Sequence, residues 1–202
     1  MTDPAAAPAA SVLAVQGVDK LDGATLRKLV DVAGRVRTSP DDLATCIAFE
    51  SRWNPAAVNR SSGATGLIQF MPATAIRMGT TVGAIAKMPA VVQLDLVDRY
   101  LHPFAGRLAT LEDCYLAIFF PAAVGQPADF VIAREGGAVF RQNPGMNAGP
   151  VITRDSATRN VRAVRAAAGG RRVPVPDAPL ISGPGGAFML FAAGLALLYV
   201  LR

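Results

Sequence analysis

The segment "TSPDDLATCIAFESRWNP", residues 38–55, marks both ends of one helix and leaves its middle almost wholly apolar. Ser39 is placed to cap the helix, and Pro40 fits the first turn. Asp41 and Asp42 face the positive end of the helix dipole. Asn54-Pro55 stops the helix, because the residue before a proline is driven out of the α region. Glu50 therefore falls near the C-terminal end, among Ile47, Ala48, Phe49 and Trp53. A carboxylate in that company costs free energy unless it is protonated or partnered. Arg52, the nearest cation, points to another face of the helix. Either Glu50 looks into water from the helix end, or the chain maintains a carboxylic acid of raised pKa, as a general acid requires.

The rest of the chain reads as mostly α. Its 202 residues suit one domain with an appendage. Its apolar content is mostly Ala, Val and Leu, which favours helices. Apolar spacing predicts a helix over 21–36 with Asp22 able to cap it, and further helices near 72–79, 90–105 and 110–120. Residues 59–72 form a polar, Gly-punctuated turn region, and 122–152, with Gly, Pro and Asn at short intervals, read as irregular. The expected partition is a mobile arm over 1–20, the main domain over 21–152, a basic helix over 153–170 and a Pro/Gly linker over 171–184. A terminal apolar segment over 185–202 completes it.

The net charge of +5 is unevenly placed. Residues 1–153 balance 13 basic against 13 acidic side chains, while 154–202 carry seven Arg against Asp155 and Asp177. Nucleic-acid binding would put the basic stripe on the folded domain, so no specific nucleic-acid partner is expected. His102 is the only histidine, which argues against a His-based triad and a typical zinc site. Cys46 and Cys114 sit in apolar helical contexts and read as buried thiols. No cofactor and no metal are expected.

Glu50-Ser51, Asn54-Pro55, then "GATGLIQFMPATA" over residues 63–75, resemble the signature of the SLT and goose-type lysozyme group of lytic transglycosylases. The likeness covers about residues 40–125. It implies a lysozyme-like helical domain with a short Gly-rich turn region and a glycan cleft. It further implies cleavage of the β-1,4 bond between N-acetylmuramic acid and N-acetylglucosamine in peptidoglycan, with closure of a 1,6-anhydro ring. Glu50 is then the single general acid and base, its pKa raised by Phe49 and Trp53. The expected substrate contacts are Ser51, Gly63, Gly66, Gln69, Phe70, Tyr115 and Phe120. Gly63 and Gly66 would permit a tight turn close to the glycan, and Gln69 would bond an N-acetyl or hydroxyl group.

Residues 93–125, ending in "YLAIFFPAAVG", resemble a group of phage-encoded transglycosylase domains. Cellular relatives place a tyrosine hydroxyl facing the acid in the corresponding stretch; here the aligned positions are Phe120 and Pro121, and Tyr115 is the nearest phenol. The stretch 141–153 resembles the end of such phage domains, but it lacks the acids that a calcium loop needs.

Residues 185–201 are uncharged and apolar, about 25 Å if helical, which predicts one transmembrane anchor holding the chain in a lipid bilayer. The Arg cluster before it places the domain on the cytoplasmic side, away from murein, and no N-terminal signal is visible. The expectation that reconciles these is a phage protein made in the host cytoplasm and carried in a virion membrane, beside other virion membrane or capsid proteins. There it would open the wall from the particle during entry. A late-acting endolysin and a catalytically inert glycan-binding virion protein remain as alternatives.

Overall fold

The computed structural model describes residues 10–177. Eight α-helices and two small antiparallel sheets fold around one core among these residues. In chain order they are β1 (Ser11–Leu13), α1 (Gly23–Val36), α2 (Pro40–Ser51), α3 (Pro72–Arg77), α4 (Val82–Ile85) and α5 (Ala90–Leu101). They continue with α6 (Leu111–Phe119), β2 (Val131–Arg134), α7 (Ala138–Gln142), β3 (Val151–Thr153), α8 (Arg154–Ala167) and β4 (Arg172–Pro174).

Helix α2 is the axis of the domain. It packs against α1, α6 and α8, and every residue from Asp42 to Ala48 is buried. An all-round apolar sequence is what such a central helix needs. Its start follows the local code: the Ser39 hydroxyl accepts from the Asp41 N–H at 3.2 Å, ahead of Pro40. Helix α1 is likewise capped by Asp22, whose carboxylate accepts from the Thr25 N–H at 2.7 Å. That bond holds the Asp22 carboxyl below its ordinary range. The amphipathic α1 lays Leu26, Leu29, Val32, Ala33 and Val36 into the core and pairs with α5.

The two chain ends of the described region are drawn together on α2. β1 pairs antiparallel with β4, with Val12 opposite Val173. Asp41 of α2 binds both strands: it accepts from the Leu13 N–H at 2.8 Å and pairs with Arg172 at 3.0 Å. Arg172 also donates to the Ser11 carbonyl at 2.7 Å. Asp42, one residue on, pairs with Arg165 of α8.

These contacts change the expected boundaries. Of the arm expected over 1–20, residues 11–13 form a strand and 18–20 a 3-10 turn. Of the linker expected over 171–184, residues 172–174 are the partner strand. The region 122–152 contains β2, α7 and the start of β3, with Val131 opposite Thr153. A buried pair closes this part onto α6: Asp113 accepts from the Gly125 N–H at 2.8 Å and from Arg154 at 2.9 Å. Burial raises the Asp113 pKa, but these bonds and one from Thr110 outweigh it and leave the carboxyl below its usual value.

The expected transmembrane helix is corrected. Among the described residues no helix is long and apolar enough to cross a membrane. The longest, α1 and α8, have 14 residues each, about 21 Å of helix against a hydrocarbon core of about 30 Å. Segment 185–202, on which that expectation fell, lies outside the described residues.

Candidate active site

Helix α2 ends under strain. Arg52 closes it in the left-handed region at φ 54°, and Trp53 follows at φ 63°. Such conformations cost a β-substituted residue free energy and persist only where the surroundings enforce them. Here Trp53 is buried, and Gly17 packs so closely on the Arg52 carbonyl that a Cβ would approach it to 2.6 Å. The effect is to stop the helix just after Glu50 while Arg52 turns out to solvent.

Facing this end is a tight hairpin. Thr65 and Phe70 exchange both backbone hydrogen bonds, at 3.0 and 2.9 Å, and enclose a turn with Gly66 at φ 86° and Gln69 at φ 53°. Gln69 is held there by its own side chain, whose Nε2 donates to the Gly66 carbonyl at 3.1 Å and to the Ala57 carbonyl at 3.3 Å. Of the four left-handed residues other than glycine among the described residues, Arg52, Trp53 and Gln69 flank this one region.

Between helix end and hairpin lies a cleft of about 860 Å³. Glu50 lines it. Asn59, Ser61 and Ser62 form a polar rim, Ile68, Gln69 and Met71 the hairpin wall, and Ile118, Phe119 and Phe120 the wall at the end of α6. Val139, Gln142 and Asn143 close the far side. Among the described residues Glu50 is the only ionisable group lining the cleft. It is half-buried, with no ion pair and no hydrogen bond to a side chain or backbone among the described residues. Burial alone pushes its carboxyl up from an ordinary 4.5 to about 7. At neutral pH a large fraction of it is protonated, which is the state of an acid ready to give a proton to a bound oxygen.

The expected site residues divide into two groups. Glu50, Gln69 and Phe120 come together on the cleft surface. Ser51 is buried, and its hydroxyl donates to the Ile47 carbonyl at 3.2 Å and the Leu67 carbonyl at 2.9 Å. It thus sews the helix end to the hairpin and is not among the residues lining the cleft. Gly66 also faces inward, where a Cβ would stand 2.5 Å from Oε1 of Gln93. Gly63, at φ 72°, shapes the turn next to Ser62 and Ala64, and the nearest contact of an added Cβ would be Pro72 at 3.4 Å. Phe70 is buried edge-on against Tyr100, ring centres 6.1 Å apart. Tyr115 is only 1 % exposed, stacked on Phe119 at 5.8 Å and edge-on to Phe49 at 5.3 Å. Its phenol is pushed up by burial and then by Glu50. It backs the apolar packing beside the acid rather than facing substrate.

Sequence reading missed the polar rim and the far wall. Asn59, Ser61 and Ser62 read as turn formers, and Phe119 as plain core. Gln142 and Asn143 lie in a stretch without periodicity. Asn59 does serve the turn, since its Oδ1 accepts from Ser61 and Ser62, but that leaves its amide N–H₂ free for the cleft.

With this geometry in place, one comparison bears on the central segment. Residues 31–91 match the Transglycosylase SLT domain. The SLT domain is that of lytic transglycosylases, which act on peptidoglycan. The match runs from α1 through the first residues of α5, so it holds Glu50 and the whole hairpin. The α6 wall with Phe119 and Phe120, and the α7 wall, lie beyond it. No curated protein matches the chain.

Proposed function

We propose that the cleft cuts the β-1,4 bond between N-acetylmuramic acid and N-acetylglucosamine, with Glu50 as its only acid and base. One observation carries this reading: among the described residues the sole ionisable group of the cleft is an unpaired carboxyl raised to about 7 by burial. Two-carboxylate glycosidases hold their second acid roughly 5–9.5 Å from the first. The nearest acids along α2, Asp41 and Asp42, lie at its far end, about 12 Å away along the axis, and are paired with Arg172 and Arg165.

A single acid suffices when the substrate supplies its own nucleophile. Protonated Glu50 gives its proton to the glycosidic oxygen as the C1–O bond of the muramyl sugar breaks. The resulting carboxylate then takes the proton from that sugar's C6 hydroxyl as O6 bonds to C1. The products are a free 4-hydroxyl and a 1,6-anhydro ring, and Glu50 ends protonated as it began. Gln69, with Oε1 unused by its backbone bonds, is the contact we assign to an N-acetyl or hydroxyl donor. Phe120 is assigned to an apolar sugar face. No hydroxyl at position 120 assists the acid, so burial must set its pKa unaided.

Digestion of purified peptidoglycan by wild type beside Glu50→Gln, with products read by mass spectrometry, tests the reading. Anhydro-muropeptides from wild type alone are expected. Reducing-end products would keep the acid but replace ring closure by water. No product from wild type would favour the inert glycan-binding alternative, for which the phenylalanine at position 120 is the supporting observation. The likeness of residues 93–125 to phage-encoded domains supports a further proposal, that the protein is carried in the phage particle and its cleavage opens the wall during entry. Its absence from purified particles and appearance only late in infected cells would point to an endolysin instead.

A further inference from the structure

Something must hold the strained turn of the cleft in place, and the catalytic helix does not do it alone. Gln93, on α5 beyond the SLT match, has a fully buried side chain at 0 % exposure. Its Oε1 accepts from the Leu67 N–H at 2.9 Å. Its Nε2 donates to the Pro55 carbonyl at 2.7 Å, the Ile85 carbonyl at 2.8 Å and the Met88 carbonyl at 3.1 Å. One amide therefore braces three segments: the hairpin turn, the chain leaving the catalytic helix, and α4 with its exit. Three carbonyls facing one end and an N–H facing the other fix the orientation of the amide, and only an amide offers both donors and an acceptor there. The approach is so close that Gly66 has no room for a Cβ beside Oε1. The turn so held carries Ile68 and Gln69, both on the cleft surface, with Gln69 in a conformation that needs external support.

We infer that Gln93 is a positioning residue for cleavage: through its side-chain amide it fixes the Gly66–Gln69 turn, and with it Ile68 and Gln69, against the Glu50 end of α2. The inference rests on the reading of the cleft as a murein-cleaving site. Gln93 touches neither the cleft nor Glu50, so its effect is on how substrate is held, and the acid's protonation is untouched.

The test uses the full chain on purified peptidoglycan, comparing wild type, Gln93→Met, Gln69→Ala and the double variant well below the lowest Tm. Misplacing a contact by about 1 Å can cost up to about 100-fold, and folded Gln93→Met is expected to lose about 10- to 100-fold in kcat/KM. The pH at which activity falls should stay where wild type has it. Adding Gln69→Ala to Gln93→Met should cost little more, since the contact is already misplaced. A folded Gln93→Met within about twofold of wild type in kcat/KM, far inside that range, would overturn the inference, as would a Gln69→Ala loss that multiplies in full. A wild type that does not cut peptidoglycan contradicts the functional reading instead. Should Gln93→Met not fold, amide exchange in wild type decides. Leu67 N–H exchanging only with global unfolding supports the brace, and exchange at the rate of an exposed turn overturns it.

Discussion

The two ends of helix α2 carry three carboxylates in opposite situations. At the N-terminal end, Asp41 is clamped by Arg172 and the Leu13 N–H, and Asp42 is paired with Arg165. At the C-terminal end, nine residues on from Asp41, Glu50 has no partner among the described residues, and burial pushes it to about 7. One helix thus pairs its structural acids with arginines and leaves its chemical acid without one, held up to about 7 by burial. Partners, not residue type, make the difference: an opposite charge favours the ionised form, and burial without one disfavours it. The helix dipole works in the same direction, since a negative charge is favoured at the start of a helix and disfavoured at its end.

The strongest way to break this contrast is at Glu50 itself. Glu50→Gln keeps the shape and removes the proton, and murein cleavage should fall by about 10²- to 10⁴-fold, the range for a general acid. Turbidity or product assays on peptidoglycan measure it directly. The same substitution should raise stability at pH 8 by about 2–3 kcal/mol, the equivalent of a shift from 4.5 to about 7. The sign follows from linkage. The unfolded Glu50 releases its proton from about 4.5 upward while the folded one still holds it, so wild-type stability falls between the two values. The advantage of Glu50→Gln should therefore be full above pH 7 and absent below pH 4, as urea unfolding at both pH values would show.

At the other end the expected effects are smaller and of opposite sign. Asp41→Ala removes the acceptor of the Leu13 N–H and the carboxylate partner of Arg172 and should cost about 1–3 kcal/mol in chemical denaturation. Ser39→Ala removes only the cap and should cost about 1 kcal/mol. Neither should move the pH dependence of cleavage, because neither changes the burial of Glu50. A shift in that profile from Asp41→Ala would show that the ends are coupled.

How much of this was legible in the sequence follows the range of each interaction. The cap and the proline start are local, so the start of α2 and the place of Glu50 could be read directly, whereas the helix already ends at Arg52, ahead of Asn54-Pro55. The capping of α1 by Asp22 was legible for the same reason. The partner of Asp41 lies 131 residues away, and strands of three residues such as β1 and β4 leave no periodicity to detect. Terminal segments that read as arm and linker consequently turned out to be paired. Within the site, motif spacing marked the hairpin but not which way its side chains point. Gly66 and Ser51 face the core, Gln69 the cleft. Tyr115 and Phe119 stack on each other at 5.8 Å, yet only Phe119 reaches the cleft wall. Gln93 was missed because a lone glutamine in a helix looks like a solvated residue, and only the packing shows it to be fully buried.

The most direct test of the account is a carboxyl titration of Glu50 by ¹³C NMR, assigned by the loss of its signal in Glu50→Gln. A midpoint near 7 is the expected result, with the fall in peptidoglycan cleavage as pH rises tracking the same midpoint. An ordinary carboxylate midpoint near 4.5 would mean the cleft does not hold a proton at neutral pH, and the single-acid reading would be contradicted.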